Sequence, residues 1–186
     1  MDRPWTWLRQ VHTDRVVVVG APGEAAGEEA DAAVTAVSDA VLAVHTADCA
    51  PIALVADGGA VAVAHAGWRG LADGVVAATV DRLRAVAPGP VSAVVGPLIG
   101  PECYEFGARD LQHVVDRLGP EVEGTTASGD PALDLPTGVR RALERAGVDV
   151  IDFVGGCTAC GDGSFSHRAR GDQGRQAVLA WIGPAA

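Results

Sequence analysis

The sequence of 186 residues contains no lysine, so all 14 of its basic residues are arginine. Acidic residues outnumber them, and the net charge of −10 argues against non-specific binding to nucleic acid, whose phosphates attract a basic face. This charge is still compatible with a small anionic substrate, because a few arginines in a cleft reverse the local potential.

The sequence also lacks an uninterrupted apolar run long enough to span a membrane, which takes about 18 residues or more. Its first residues, MDRPWTWLRQVH, show no basic segment followed by an apolar stretch and a small-residue cleavage site, so they do not resemble a signal peptide. We therefore expect a cytoplasmic protein. The length predicts one domain over residues 1–186, since single cores commonly hold about 100–200 residues.

Local patterns predict strands and helices that mix without strict alternation, which favours the α+β class with mixed sheets. An Asp57-Gly58-Gly59 turn between two apolar runs predicts a β-hairpin. Strands are predicted over 15–19, 40–45, 52–55, 60–64, 91–95 and 148–154, helices over 70–86, 107–118 and 136–147, and a last strand or helix within 171–181.

Two histidines and one cysteine stand at predicted strand ends or next to turn residues: His12, Cys49 and His65. Two imidazoles and a thiolate form a three-ligand zinc set, which leaves the fourth position open for water or substrate. The gaps between these residues fit no local zinc-finger spacing. From spacing alone, two half-buried histidines and a small core cysteine are the simpler interpretation.

Six sequence stretches help to decide between a zinc site and ordinary buried side chains. They occur in a fixed order, and the resemblance they carry covers nearly the whole chain. They are QVH (10–12), TADCAPI (46–52), HAGWRG (65–70), GPLIGPECYEFG (96–107), CTAC (157–160) and SHRARGDQGR (166–175). In this order they resemble the multicopper polyphenol oxidase, or YfiH/laccase-domain, family, which is understood chiefly as zinc-dependent purine nucleoside enzymes. The resemblance implies a four-layer α/β/β/α sandwich with mixed β-sheets.

The resemblance also implies site residues and activities. The family's zinc ligands fall on His12, Cys49 and His65, and Cys49 and His65 are then also the core of the catalytic site. The implied activities are phosphorolysis of adenosine, inosine and methylthioadenosine, together with deamination of adenosine. The partners are accordingly a purine nucleoside and phosphate.

Further polar residues are expected around this set. Asp48, beside the ligand Cys49, is a candidate for the acid that moves a proton during deamination, or for a hydrogen bond that orients a ligand. Arginine suits phosphate because its guanidinium binds in a bidentate fashion. By motif, Arg69 and Arg168 are the best-placed phosphate ligands, and Arg175 is a third.

The sequence departs from the family pattern in two places. A further N-terminal segment normally precedes QVH, so we expect a domain that is short at this end. A monomer or a homodimer is expected, because a sheet edge left uncovered would invite dimerisation. Ala169 stands where a second consecutive arginine is usual, and Arg170 follows it. On a strand, that shift would turn the charge to the opposite face.

The remaining cysteines are predicted to be structural. Cys157 and Cys160 form half of a zinc-ribbon pattern, but that pattern needs a second pair and only Cys103 is left to supply it. A second zinc site is therefore not expected.

Three other functions stay open. A copper-dependent polyphenol oxidase would use the same ligands, since copper binds such sets tightly, although five histidines are few for several copper ions. A cysteine hydrolase acting on an amide or peptidoglycan precursor would use Cys49 as nucleophile and His65 as its base. The last alternative is a truncated metal-binding relative without turnover.

Overall fold

Short strands and helices follow one another irregularly through residues 3–183, the part of the chain that the computed structural model describes. The strands are β1 (Trp5–Trp7), β2 (Val16–Val18), β3 (Ala32–Thr35), β4 (Val41–Thr46), β5 (Ala50–Ala56), β6 (Ala60–Ala66), β7 (Val91–Val95), β8 (Glu123–Thr125), β9 (Pro131–Leu133), β10 (Val150–Phe153) and β11 (Gln176–Ala180). The helices are α1 (Trp68–Asp73), α2 (Val75–Val86), α3 (Ala108–Leu118), α4 (Leu135–Arg145) and α5 (His167–Arg170).

A six-stranded mixed sheet, ordered β10-β7-β5-β6-β3-β2, forms the centre of the fold. Its β5–β6 hairpin pairs Ile52 with Ala64 and closes at the predicted Asp57-Gly58-Gly59 turn, so the hairpin prediction is confirmed. Every residue of β6 is buried, because both faces of this strand are covered. One face packs under α2 and the other packs under a second sheet.

That second sheet has three strands in the order β1-β4-β11, parallel between β1 and β4 and antiparallel between β4 and β11. Leu42 and Val44 of β4 belong to the same buried apolar cluster as Val61 and Val63 of β6, which joins the two sheets face to face. Helices, a mixed sheet and a second mixed sheet therefore follow one another in layers. The predicted α+β class with mixed sheets is confirmed.

The predicted single helix over 70–86 is wrong in one respect. The chain forms α1 and α2 instead, and Gly74 between them has a φ of 102°, a left-handed conformation that interrupts the helix and that glycine adopts without strain. The helices predicted over 107–118 and 136–147 are confirmed as α3 and α4, and the element within 171–181 is the strand β11. Within residues 3–183, no helix is long and apolar enough to cross a membrane.

Candidate metal and substrate site

The three predicted ligands meet at the open end of the β5–β6 hairpin. Cys49 directly precedes β5, and His65 lies near the end of β6, where it is paired with Pro51. His12 reaches the same point from the loop between β1 and β2. One donor atom from each residue lies within 4.8 Å of the other two, and His12 Nε2 is 3.9 Å from Cys49 Sγ.

A buried carboxylate, that of Asp31, holds two of these ligands in place. Its Oδ1 lies 2.7 Å from Nδ1 of His65, which fixes the ring and leaves Nε2 for a metal. The same carboxylate accepts hydrogen bonds from the backbone N–H groups of Val11, His12 and Thr13. His12 has a φ of 62°, an uncommon conformation for a non-glycine residue, and these bonds hold the loop in it.

Gly67 provides the space that the ligands need. A Cβ at this position would lie 2.6 Å from Cδ2 of His12 and 3.1 Å from Sγ of Cys49, so any larger residue would push against both ligands. The φ of Gly67 is −76°, which any residue adopts. Glycine is therefore required here for space and not for backbone conformation.

The electrostatics of the cluster favour charged forms. Burial would raise the pKa of Cys49, but hydrogen bonding to His12 and His65 stabilises the thiolate and lowers its pKa to about 6. Burial would lower the pKa of His65, yet its hydrogen bonds to Asp31 and Cys49 raise that pKa to about 9. For Asp31, hydrogen bonds from His65, Thr13 and His12 outweigh the effect of burial and lower the pKa to about 2.

This donor set fits a metal ion. A neutral imidazole nitrogen and a thiolate are the groups that zinc and copper prefer. The thiolate of Cys49 is already the form that binds a metal, whereas a metal would displace the proton on Nε2 of His65. The carboxylate behind His65 completes the carboxylate–histidine arrangement that orients ligands in metal sites. With three protein ligands, the fourth position would face the adjacent cavities.

Asp48 lies in the site, but its carboxylate is already engaged. Its Oδ1 accepts hydrogen bonds from Thr158 Oγ1 at 2.6 Å and Ser166 Oγ at 2.7 Å, and its Oδ2 accepts one from the backbone N–H of Arg168 at 2.7 Å. Asp48 has a φ of 94°, and these three donors tie that strained residue to the segment that follows β10.

A cavity of about 460 Å³ opens beside the ligands and contains the first two predicted arginines. The guanidinium of Arg69 lies 4.2 Å from the ring centre of Trp68, and that of Arg168 lies 5.1 Å from the ring centre of Tyr104. Within residues 3–183, neither arginine forms an ion pair with a carboxylate. Both guanidinium groups therefore remain available to an anion.

A second cavity, of about 490 Å³, also adjoins the ligands and contains Arg175. The guanidinium of Arg175 donates to the backbone carbonyls of Asp172 and Gly174. Thr46 also lines this cavity, and within the described part of the chain its buried Oγ1 has no hydrogen-bond partner. His167, together with His12 and Cys49, lines both cavities, so the two spaces meet at the ligand set.

The segment with the displaced arginine is not a strand. Residues His167–Arg170 form the short helix α5, so the expectation that Arg170 faces the opposite side of a strand is wrong. The guanidinium of Arg170 donates to the carbonyls of Thr158 and Ser164 and pairs with Asp172. Arg170 thus stabilises the loop that contains Thr158 and Ser164. Of Arg168 and Arg170, only Arg168 lines the cavity beside the ligands.

Sequence reasoning did not single out Thr158 or Gly67. Asp31 resembles an aspartate of the family that precedes the TADC strand, but a loop cap was an equally good explanation, so the residue was not predicted to belong to the site. Thr158 lies inside the CTAC motif, which was interpreted through its two cysteines alone. A glycine between a ligand histidine and a tryptophan was the one signal for Gly67, since glycine admits close approach of other groups.

Known proteins resemble the chain over most of its length. The sequence profile of the multi-copper polyphenol oxidoreductase laccase family matches residues 1–183. A purine nucleoside phosphorylase of Xylella fastidiosa (strain 9a5c) is 43% identical over 187 residues, which cover 95% of this chain and 72% of that protein. A purine nucleoside phosphorylase of Mycobacterium tuberculosis (strain ATCC 25618 / H37Rv) is 38% identical over 180 residues, covering 95% of this chain and 71% of that protein.

The fold is shared as well. The crystal structure of the hypothetical protein YfiH from Bacillus licheniformis superposes with a TM-score of 0.84 at 29% identity, over 96% of this chain and 74% of that chain. Sequence and structure agree with the motif resemblance, which is thereby confirmed. The chain belongs to the multi-copper polyphenol oxidoreductase laccase family.

Proposed function

We propose that the protein is a zinc-dependent purine nucleoside phosphorylase that acts on adenosine, inosine and methylthioadenosine and also deaminates adenosine. One observation carries the proposal: the His12/Cys49/His65 set adjoins two cavities, one of which contains two guanidinium groups that pair with no carboxylate of residues 3–183. The relatives that are named purine nucleoside phosphorylase, at 38–43% identity over 95% of the chain, support the phosphorylase part of this proposal.

The phosphate is assigned to the cavity of Arg69 and Arg168. Each guanidinium rests on an aromatic ring, which restricts its motion while leaving its N–H groups free to bind oxygen. Asp48 holds the backbone of Arg168 at this position. Because both arginines face the ligand set, phosphate bound to them is kept next to a nucleoside in the adjoining cavity.

In phosphorolysis, a phosphate oxygen forms a bond to C1′ of the ribose while the bond from C1′ to N9 of the purine breaks. The electron pair of the broken bond passes to the purine, which takes up a proton. Zinc held by His12, Cys49 and His65 would supply a Lewis acid that stabilises negative charge as the bond breaks. Burial and the nearby Cys49 raise the pKa of Tyr104 to about 12, so its phenol stays protonated and able to donate a hydrogen bond in this cavity.

The nucleoside is assigned to the cavity of Thr46 and His167. Thr46 contributes to the wall of this cavity, but its Oγ1 is buried behind the surface, so the ribose hydroxyls are assigned to exposed polar groups of the lining such as His167. Gln10 donates to the carbonyl of His45 and accepts from its N–H, both at 2.8 Å, which fixes this wall of the cavity. The wall is therefore preorganised for a sugar.

Deamination at the same site would replace the exocyclic amino group of adenine with an oxygen from water and release ammonia. The reaction needs a side chain that accepts and returns a proton beside the metal. Asp48 was the sequence-based candidate, but three hydrogen bonds occupy its carboxylate. We assign the proton transfer to His167, which lines both cavities, and a positioning role to Asp48.

The decisive experiment incubates the zinc-loaded protein with inosine and phosphate and follows hypoxanthine and ribose 1-phosphate. Both products are expected in equal amounts, and none without phosphate. Adenosine without phosphate should yield inosine if the deaminase proposal holds. A fully zinc-loaded protein that releases no hypoxanthine would refute phosphorylase activity.

Arginine variants test the phosphate assignment. Arg69→Gln and Arg168→Gln should each raise KM for phosphate roughly tenfold or more, since a hydrogen bond to a charged group contributes about 1.5–3 kcal/mol. Arg82→Gln is the matched control, because Arg82 is an exposed residue of α2 that lines neither cavity. An unchanged KM in both site variants would show that phosphate binds elsewhere, and Arg175 would then be the next candidate phosphate ligand.

A cysteine hydrolase is the second candidate, and the lowered pKa of Cys49 favours it for the metal-free protein. Metal analysis separates the two. One zinc ion bound through Cys49 removes the free thiolate that a hydrolase requires, whereas active metal-free protein would support the hydrolase. Copper in place of zinc, with oxygen uptake in the presence of phenols, would support the polyphenol oxidase alternative.

A further inference from the structure

A second group of metal-binding side chains lies apart from the proposed active site. Glu102, Cys103, Cys157 and Cys160 each place one ligand atom within 4.8 Å of the other three. Cys160 Sγ lies 3.4 Å from Cys103 Sγ and 3.1 Å from Oε1 of Glu102. The prediction that Cys103 cannot complete the Cys157/Cys160 pair overlooked the carboxylate beside it.

The central sheet brings these residues together. Strand β10 pairs in parallel with β7, so the chain leaving β10 runs beside the chain leaving β7. Leu98 forms a β-bridge with Cys157, and the N–H of Thr158 donates to the carbonyl of Leu98 at 3.1 Å. The turn Pro101–Cys103 and the turn over 157–160 therefore face each other.

The donors match a closed zinc site. In a tetrahedral site with zinc–sulfur bonds of about 2.3 Å, the ligand atoms lie roughly 3.8 Å from one another, which is compatible with the spread seen here. Thiolates select zinc over calcium or magnesium. The N–H of Gly100 also donates to Cys157 Sγ at 3.2 Å, the kind of hydrogen bond that stabilises a thiolate ligand.

We propose that Glu102, Cys103, Cys157 and Cys160 bind a structural zinc ion. Four protein ligands fill the tetrahedron, so this ion has no open position for substrate, in contrast to the three-ligand set at His12, Cys49 and His65. Its role is to join two turns that come from distant parts of the sequence.

Both turns lead directly into the active-site wall. Cys103 is followed by Tyr104, which lines the phosphate cavity, and Cys157 is followed by Thr158, whose hydroxyl binds Asp48 at 2.6 Å. An ion that fixes Cys103 against Cys157 therefore also fixes Tyr104 relative to Asp48. Loss of this ion should loosen that wall while leaving His12, Cys49 and His65 able to bind their own metal.

Zinc stoichiometry tests the proposal directly. The protein is stripped with a chelator, kept reduced, and reloaded with zinc alone before metal analysis. Wild type should take up two ions per chain, and Cys49→Ala and the double variant Cys103→Ser/Cys160→Ser should each take up one. Glu102→Gln should bind the second ion more weakly, whereas Glu105→Gln, at a neighbouring residue outside the cluster, should match wild type.

Cobalt gives a readout that does not depend on the double variant folding. In reduced Cys49→Ala protein, cobalt should produce strong sulfur-to-metal charge-transfer absorption, because the only remaining cysteines are those of this cluster. Absence of that absorption, or uptake of a single zinc ion by wild type that Cys49→Ala abolishes, would overturn the proposal. A disulfide between Cys103 and Cys160 that persists under these reducing conditions, with no zinc bound at the cluster, would overturn it as well.

Discussion

The Oδ1 atom of Asp31 lies 2.7 Å from Nδ1 of His65, and both side chains are almost completely buried. The carboxylate also accepts the N–H groups of the loop that carries His12, so a single side chain fixes two ligands contributed by different parts of the chain. The precision of the proposed metal site thus depends on a residue that would not touch the metal.

Asp31→Asn should weaken zinc binding by about 10–100-fold, because a neutral amide lowers the basicity of His65 and offers an NH₂ group where the N–H groups of Val11 and Thr13 need an acceptor. Competition with a chromogenic chelator measures the affinity. Asp14→Asn is the control, since Asp14 is exposed in the same loop. Equal zinc affinity in wild type and Asp31→Asn would contradict the role given to this carboxylate.

The metal-free protein should show a pH-dependent reactivity at Cys49. Its pKa is lowered to about 6, so alkylation by iodoacetamide should accelerate as the pH rises through about 6 and should slow below it, where the thiol is protonated. Zinc should suppress the reaction at each pH at which it stays bound. Peptide mapping by mass spectrometry follows Cys49 separately from the other cysteines, and a rate that begins to rise only near pH 9 would contradict the prediction.

Gly67→Ala should impair zinc binding at Cys49 and His12, because the added methyl carbon would lie 2.6 Å from the His12 ring. Gly107→Ala is a close control, since both glycines precede a helix with an extended backbone and Gly107 has no atom within 4 Å of a new Cβ. Zinc content and the thermal transition are measured for both variants. Normal zinc content in Gly67→Ala would show that the ligands can move aside.

Asp48→Asn should destabilise the zinc-loaded protein by about 1–3 kcal/mol, because Asn cannot accept all three hydrogen bonds as strongly as a carboxylate. Asn tolerates the positive φ of this position, so the substitution isolates the charge. The KM for phosphate should also rise in Asp48→Asn, because the hydrogen bond from the backbone N–H of Arg168 to Asp48 is lost.

Urea unfolding and steady-state kinetics test the Asp48 prediction, with Asp81→Asn on the exposed side of α2 as control. A loss of turnover with unchanged stability and unchanged KM for phosphate would instead point to proton transfer by Asp48.

Local signals predicted the parts of the fold that local physics decides. The Asp57-Gly58-Gly59 turn identified the central hairpin, and apolar spacing identified α3 and α4. The helical spacing of apolar residues continued across Gly74 and predicted one helix. That spacing contains no information on the left-handed backbone conformation of Gly74, which ends α1. Strand β3, Ala32–Thr35, went unpredicted since a short buried strand of small residues has no alternating pattern.

The candidate ligands His12, Cys49 and His65 were identified by motif and not by spacing, and the residues that surround them could not be predicted. Asp31 and His65 are brought together by the pairing of β3 with β6, which a single sequence does not display. The Glu102 cluster depends likewise on the parallel pairing of β7 with β10. In both cases, side chains far apart in the chain become neighbours only when the strand order is known.

The hairpin that carries Cys49 and His65 has a consequence for how this site tolerates change. Its seven paired positions run from Ala50–Ala66 at the ligand end to Ala56–Ala60 at the turn. In a strand, a slip of one residue turns every side chain to the opposite face, and His65 would then face away from Cys49 and Asp31. Insertion or deletion of a single residue near Gly58 can therefore abolish metal binding while every ligand is still present in the sequence.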